Sequence, residues 1–277
     1  VNPRIAIKYE LTPSLVLRAN VGTGFRAPYG FSEDLHLCSG SPRVWKSSNL
    51  KGERAISYNL SADYYAKKYQ FSINIFRTNL KDKIQFSPAD DEVKKFGYSY
   101  QWENVDDAYV QGIELGAKAN LFRNFNAGIN WTFNQGKFKH ERADWSDPND
   151  ETVKEFPQRL QYAKDSRNIS RFPAMTGDID LDYTPGTWTF SLTSSLQGRM
   201  FIDYNSEDDG ATSKIKKTNT FMIFNCRAAK RFGTCTVYAG AKNIFSYIQD
   251  EKHTDDAAFM YAPVYGATWY VGLSVKL

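Results

Sequence analysis

The sequence predicts an all-β fold, specifically an up-and-down antiparallel transmembrane β-barrel. Three observations predict it. Apolar and polar residues alternate with a period of two along most of the chain, with almost no helical periodicity in competition. Tight and long connections follow one another in turn, which places short turns on one rim and long loops on the other. Several alternating stretches also exceed the ~5–6 residues usual for strands in soluble sheets.

Residues 3–10 send Ile5, Ile7 and Tyr9 to one face, and Leu11-Thr12-Pro13 turns the chain tightly. Leu15, Leu17, Ala19 and Val21 then oppose Val16, Arg18, Asn20 and Gly22. This pattern stops at Gly24-Phe25-Arg26-Ala27-Pro28, where a long mixed-polarity loop begins. Periodicity returns near Arg54, with Ile56, Tyr58, Leu60, Ala62 and Tyr64 opposite Ser57, Asn59, Ser61 and Asp63. Across the turn Ala66-Lys67-Lys68, Phe71, Ile73 and Ile75 alternate with Ser72, Asn74 and Phe76 in a strand that persists past Leu80 to Phe86. Residues 88–96 read as a charged loop.

Residues 98–121 form one unusually long strand, turned at Arg123-Asn124 into Phe125, Ala127, Ile129, Trp131 and Phe133 opposite amides, hydroxyls and glycine. That polar side suits a wetted interior. Residues 139–171 make the longest loop. Ile179, Leu181 and Tyr183 alternate with Asp178, Asp180 and Asp182, and Thr184-Pro185-Gly186-Thr187 turns the chain into Trp188, Phe190, Leu192 and Leu196. Residues 203–217 read as loop, residues 219–230 and 235–245 as strands, and Trp269, Val271, Leu273, Val275 and Leu277 as the last strand.

The count is about eleven strands. An odd number cannot close a strictly antiparallel barrel, because the first and last strands must also pair antiparallel. The chain is therefore expected to be part of a larger barrel. A soluble β-sandwich also alternates, but here the apolar faces carry Tyr64, Trp131, Tyr183, Trp188 and Trp269 near their ends, where an interfacial girdle would want them. The mean hydropathy of −0.54 excludes a helical membrane protein and leaves a barrel open.

The formal charge of +4 comes from interspersed signs and forms no basic stripe, which argues against nucleic acid as a partner. Lys214-Ile215-Lys216-Lys217 and residues 227–231 read as solvated loop and strand-end charges. Three cysteines make no complete disulfide framework. A hairpin centred near Phe232 places Cys235 opposite about Ala229, and free thiols are expected.

Five short motifs now support a resemblance. Gly24-Phe25-Arg26-Ala27-Pro28 followed by Asn49-Leu50-Lys51-Gly52-Glu53 resembles two signatures of TonB-dependent outer-membrane receptors. Asn104-Val105 with Val110-Gln111-Gly112-Ile113-Glu114 is similar to a third. Lys242-Asn243-Ile244-Phe245 resembles the penultimate strand of that family, and Tyr265-Gly266 through Tyr270-Val271-Gly272-Leu273 its closing strand. Each is weak alone, and their order across nearly the whole chain is specific. Ser48 and Gly52 stand where the family usually has proline, and Leu277 where it often has Phe.

The resemblance implies a plugged barrel of about 22 strands in the outer membrane of a Gram-negative bacterium. Residues 1–277 would be the C-terminal half of that barrel, with the N-terminal plug domain and first strands absent. It further implies contact with outer-membrane lipid, a TonB complex acting through the missing N-terminal region, and a scarce nutrient captured by extracellular loops. The expected substrate is a small-molecule metal chelate: siderophore-iron, haem or cobalamin. A glycan or peptide importer with a surface lipoprotein partner, and a non-transporting adhesion domain, are the alternatives.

No enzyme is expected, because His36, His140 and His253 fall in separate loops. His36, between Pro28 and Asn49, is the candidate iron ligand for haem; the competing reading is an ordinary polar loop residue. Glu33-Asp34-Leu35-His36 is similar to a stretch in Bacteroidetes receptors of varied substrate. Tyr29, Phe31, Trp45, Trp145, Tyr204 and Tyr261 are candidate stacking residues for a planar or glycan ligand, or else loop-packing residues. Asp203, Asn205, Glu207, Asp208 and Asp209, like Asp144, Asp147, Asp150 and Glu151, could wrap a calcium ion, although neither spacing fits an EF-hand. No cofactor is expected.

Overall fold

The computed structural model describes residues 1–28, 44–46, 49–88, 91–98, 100–140, 167–204, 214–249 and 261–276. Its elements are β1 (Arg4–Thr12), β2 (Leu15–Arg26), β3 (Val44–Lys46), β4 (Glu53–Tyr65), β5 (Tyr69–Pro88), α1 (Asp91–Lys94), β6 (Tyr100–Phe122) and β7 (Phe125–Phe138). They continue with β8 (Met175–Tyr183), β9 (Trp188–Gln197), β10 (Phe201–Tyr204), β11 (Lys214–Lys217), β12 (Phe221–Phe232), β13 (Cys235–Lys242) and β14 (Thr268–Val275). The main sheet has 12 strands, in the order β1-β2-β4-β5-β6-β7-β8-β9-β12-β13-β14 with β3 beside β6. Every pair along that path is antiparallel and sequential in the chain, apart from the steps over β3 and over the β10–β11 hairpin. Without β3, the path holds the eleven strands that alternation predicts.

The two faces of the sheet are inverted relative to a soluble protein. On β4, Ile56, Tyr58 and Leu60 are 42%, 45% and 58% exposed, while Ser57, Asn59 and Ser61 between them are half-buried. On β5, Phe71, Ile73 and Ile75 point outward in the same way. Among the described residues only ten hydrophobic side chains are buried, and they are scattered rather than gathered between layers. Such a sheet has no aqueous core to drive its folding. It is stable where the apolar face meets lipid, so the soluble sandwich does not fit.

The inner face is laced with polar pairs at the register the alternation requires. Arg18 and Asp63 form an ion pair, and Asn59 Nδ2 donates to Asn20 Oδ1 at 3.0 Å. Asn74 Nδ2 donates to Glu114 Oε2 at 2.9 Å, Asn130 Nδ2 to Asp178 Oδ2 at 2.8 Å, and Ser191 Oγ to Asp182 Oδ1 at 2.6 Å. Close approach explains some inward glycines. A Cβ at Gly112 would stand 2.3 Å from the Phe133 carbonyl oxygen and 2.8 Å from the ring of Phe76, which lies directly across from it. Gly272 is likewise covered by Tyr238, and Gly240 by Tyr270, each from the paired strand.

The apolar band on β7 runs outward from Phe125 through Ile129 to Phe133 and gives way to Gln135. Those eight steps span about 27 Å along a strand, or roughly 20 Å in height at the usual barrel tilt. That is close to the ~25 Å apolar band of a membrane barrel. Aromatic rings mark the tight-turn rim: Phe122 stacks on Phe125 at 4.8 Å, and Trp188 on Phe190 at 5.6 Å. Trp131 differs from its expectation, since it sits in mid-strand over Gly177 rather than at an end.

Three further differences have local causes. Within the expected loop 203–217, β10 ends at Tyr204 and β11 follows, paired Phe201↔Lys217 through Tyr204↔Lys214, so Lys214–Lys217 belongs to a hairpin and not to a loop. Ile202 is fully buried against Met200, with Tyr261 packed on them, and this small apolar knot holds the hairpin. Residues 91–94 form one helical turn with Asp91 and Glu92 at its start and Lys94 at its end, the favourable polarity for a helix dipole. Cys235 pairs with Phe232, and Ala229 with Tyr238, because the turn consists of Gly233 and Thr234 alone, with Gly233 at φ 60°. Cys226 and Cys235 are free thiols, as expected.

Replacing Leu115 with arginine, in mid-band on the outer face of β6, should destabilise the membrane-inserted protein by about 2–4 kcal/mol in urea unfolding from lipid vesicles. Lys118→Gln, on the inner face of the same strand, should stay within about 0.5 kcal/mol of the parent.

Candidate functional site

All the tight turns (13–14, 66–68, 123–124, 184–187 and 233–234) lie at one rim, and the long connections all lie at the other. β5 and β6, with 20 and 23 residues, rise well beyond the apolar band toward the long-loop rim. This places whatever the loops bind at the end of the sheet where the sequence motifs gather.

Three of those motifs are physical partners there. Arg26 and Glu53 are cross-strand neighbours of β2 and β4, their charged groups 3.9 Å apart. Glu53 Oε2 also accepts the Ile84 amide of β5 at 3.0 Å, so this carboxylate ties three strands together. A Cβ at Gly52 would stand 2.3 Å from Phe25 Cε2. The departure from the family's proline at this position therefore leaves room for the Phe25 ring, which a proline would displace.

Asn104 joins the third motif to the second. Its Oδ1 accepts the Lys51 amide at 2.8 Å, and its Nδ2 donates to the Lys51 carbonyl at 3.0 Å and to the Asp82 carbonyl at 2.7 Å. Asp82 has φ 54°, at an irregularity in the β5–β6 ladder, and Asn104 satisfies the carbonyl freed there. Asn243, the asparagine of the fourth motif, does comparable work past β13. At φ 51° it donates to the carbonyls of Tyr247 and Tyr265, at 2.7 and 3.1 Å, and accepts the Tyr247 amide at 2.9 Å. Phe245, 72% exposed, packs edge-on against Phe224 at 5.4 Å. Gly112 and Glu114 line the inner face, and Gly24, Ala27, Pro28, Asn49 and Leu50 lead into or out of the long-loop rim.

The stacking candidates are only partly in view. Trp45 lies on β3, which runs parallel to β6 in the register Val44↔Tyr100 to Lys46↔Trp102, and its ring meets Tyr98 edge-on at 5.1 Å. Tyr261 is half-buried: its amide donates to Gln249 Oε1 at 2.8 Å, its carbonyl accepts Gln197 Nε2 at 3.2 Å, and its ring lies 6.3 Å from Phe221. Tyr204 ends β10. Tyr29, Phe31, His36 and Trp145 lie outside the described residues, as do His253, Asp144, Asp147, Asp150, Glu151, Asn205, Glu207, Asp208 and Asp209.

Asp106 and His140 meet at the same rim, with His140 Nδ1 3.2 Å from Asp106 Oδ1 and the His140 amide donating to Oδ2 at 2.7 Å. Burial pushes the Asp106 carboxyl up. The two His140 contacts and the Asp107 amide together outweigh that and hold it below the usual carboxylate range. Among the described residues no group of three or more His, Cys, Asp or Glu is placed to hold a metal ion. The sequence reading did not find the Gln249–Tyr261 contact or the β10–β11 hairpin. The alternation of Phe201, Ile202, Asp203 and Tyr204 was the one available signal.

An antiparallel sheet with lipid-facing apolar residues, a polar inner wall and all its long connections on one rim defines part of a membrane β-barrel. A family model for TonB-dependent receptor-like β-barrels matches residues 1–244, and the chain belongs to that family, whose members are Gram-negative outer-membrane proteins. The chain is 27% identical over 266 residues to the vitamin B12 transporter BtuB of Photobacterium profundum, covering 94% of this chain and 36% of that protein. It is 27% identical over 151 residues to a ferric enterobactin receptor of Pseudomonas aeruginosa, covering 48% of this chain and 20% of that protein. The siderophore receptor PirA from Acinetobacter baumannii superposes with a TM-score of 0.69 at 16% identity, over 98% of this chain and 40% of that one. This chain thus spans about a third of the length of the B12 transporter it matches.

Asn104→Ala should release the Lys51 amide. Its hydrogen exchange should accelerate about two- to tenfold, given about 0.5–1.5 kcal/mol for the loss of an exposed hydrogen bond. Exchange at Leu115, in the membrane band, should not change.

Proposed function

We propose that this chain is the C-terminal part of the barrel of a TonB-dependent receptor that imports a scarce metal chelate: siderophore-iron, haem or cobalamin. The observation that carries this reading is the gathering of three family motifs at the long-loop rim, where Arg26–Glu53 and Asn104–Lys51 brace the strands from which the outer loops spring. The relatives named as B12 and ferric enterobactin proteins support the chelate class. The named relatives are transporters and receptors rather than enzymes, in keeping with a chain that binds and scaffolds.

In this reading the long loops capture the chelate, with Trp45, Tyr29, Phe31, Trp145, Tyr204 and Tyr261 as candidate ring contacts and His36 as candidate haem ligand. A preceding plug domain would couple to the TonB complex, and the polar inner wall, with Asn74–Glu114 and Asn130–Asp178 bridged across strands, would face it. Loops supply affinity and the braced rim holds their ends, so specificity resides in the loops and not in the sheet.

The test is uptake in cells with and without the intact receptor gene under iron or cobalamin limitation. Accumulation of one labelled chelate that depends on the gene and collapses with an uncoupler supports the proposal. Unchanged uptake of ferric siderophores, haem and cobalamin alongside a defect in glycan or peptide use would overturn it in favour of the other importer class. If haem is the substrate, His36→Ala should weaken its binding and alter its spectrum. Unchanged affinity and spectrum would remove His36 as a ligand.

A further inference from the structure

Above the apolar band the chain meets water again, and there the hydrophobic effect can gather side chains as it cannot on a lipid-facing sheet. The buried pair Met200 and Ile202, with Tyr261 packed on it, stands at this level. Its members come from different stretches of chain. Met200 and Ile202 belong to the connection 198–220 between β9 and β12, and Tyr261 to the connection 243–267 between β13 and β14. Phe221, buried at the foot of β12, stacks on Tyr247 at 5.0 Å and lies 6.3 Å from the Tyr261 ring. Neither connection buries these groups without the other.

Each of the two is closed at its own foot. The Met200 amide donates to Thr218 Oγ1 at 3.1 Å and the Thr218 amide to the Met200 carbonyl at 2.9 Å, which pins the base of the β10–β11 hairpin. In the other connection, the fully buried Gln249 accepts the amides of Tyr261 and Ala262 on Oε1, at 2.8 and 3.1 Å. The Gln249 amide donates to the Pro263 carbonyl at 2.9 Å. Gln197 ties the two feet together: its Nε2 donates to the Tyr261 carbonyl at 3.2 Å and lies 3.8 Å from Met200 Sδ.

The connection 139–174, between β7 and β8, joins from the opposite side. The Arg171 amide donates to the Phe201 carbonyl at 2.7 Å, Ser170 Oγ to the same oxygen at 3.4 Å, and the Ala174 amide to the Arg199 carbonyl at 2.9 Å. This foot is seated on β7, where a Cβ at Gly136 would stand 3.0 Å from Phe172 Cδ1 and 3.1 Å from Ile169 Cδ1. The hairpin is thus held on both flanks, and opening any of the three feet breaks hydrogen bonds or apolar contacts of the next. Segments that share their stabilising contacts in this way open together rather than one by one.

We propose that the feet of the connections 139–174, 198–220 and 243–267 form one cooperative unit at the outer rim, centred on Ile202 and Tyr261, that opens and closes as a single body. A ligand held by any one of the three then stabilises the other two, and the coupling is reciprocal. The unit stands at the long-loop rim of the barrel described above, and it does not depend on which chelate the receptor imports.

The test is amide hydrogen exchange, read by mass spectrometry, on the intact receptor that contains this chain in lipid vesicles. Each variant is first shown to give the parent's heat-modifiable band on gels. Ile202→Ala should accelerate exchange about tenfold or more in the peptide holding Thr218, and to a similar degree in those holding Arg171 and Ala262, which lie in the other two connections. Ile202→Val should accelerate the same three by about two- to tenfold, and it carries the test if the alanine variant fails to fold. Tyr261→Ala should give the same set from the other side. The Lys51 amide, held by Asn104 at the foot of a different connection on the same rim, should not change. Acceleration confined to the mutated connection would overturn the proposal. Equal acceleration at Lys51 would overturn it too, because the whole rim and not this unit would then be opening.

Discussion

In a bilayer there is no water to satisfy a stray peptide group, so every backbone N–H and C=O at membrane depth has to be paired with a neighbouring strand. The rest of this structure follows from that requirement. Among the described residues the pairing continues from β1 to β14, each strand of the path antiparallel to the next, and the outer edges of β1 and β14 lack a main-sheet partner. Those edges carry exposed apolar side chains, Ile5 and Ile7 on β1 and Trp269 and Val271 on β14. β1 carries Arg4, Lys8 and Glu10 on its inner face and an irregularity between Glu10 and Thr12, whereas β14 has no Pro, bulge or charged residue of the kind that protects edges in soluble sheets. Further strands on both sides, closing a larger barrel, are what this surface calls for.

Closure also decides where sequence variation is allowed. Within the membrane band the outer face has only to be apolar and the inner face only to be polar or small, and side chains such as Ile73 and Leu115 satisfy that without specific partners. At the long-loop rim the ladder has to end in a defined way while the chain departs on long excursions. Arg26, Glu53, Asn104 and Asn243 each satisfy backbone groups or bridge strands there. The family motifs at this rim brace the points where the loops depart.

Most of the architecture was legible in the sequence because period-two alternation is a direct record of which face each residue takes. Strand number, the direction of each face and the rim of each connection all follow from it. What alternation does not record is pairing set by a few contacts. The β10–β11 hairpin depends on Ile202 being buried against Met200, and the charged residues around it hide the signal. The parallel contact of β3 with β6 spans three residues, too few for a period. The position of Cys235 depended on whether the turn held two residues or four, and Gly233 at positive φ settled it at the shorter. At the candidate site, motif matching picked out the bracing residues, while its aromatic candidates mixed packing residues such as Tyr261 with residues of the long loops.

The central claim is that this sheet crosses the outer membrane with its apolar face in lipid. The most direct measurement is a nitroxide scan of residues 71–76 on β5 in reconstituted receptor, recording collisions with oxygen and with a water-soluble nickel chelate. The account predicts a period of two, with labels at 71, 73 and 75 accessible to oxygen and protected from nickel and those at 72, 74 and 76 showing the reverse. Uniform accessibility to nickel along the strand, or a pattern with the faces exchanged, would contradict it.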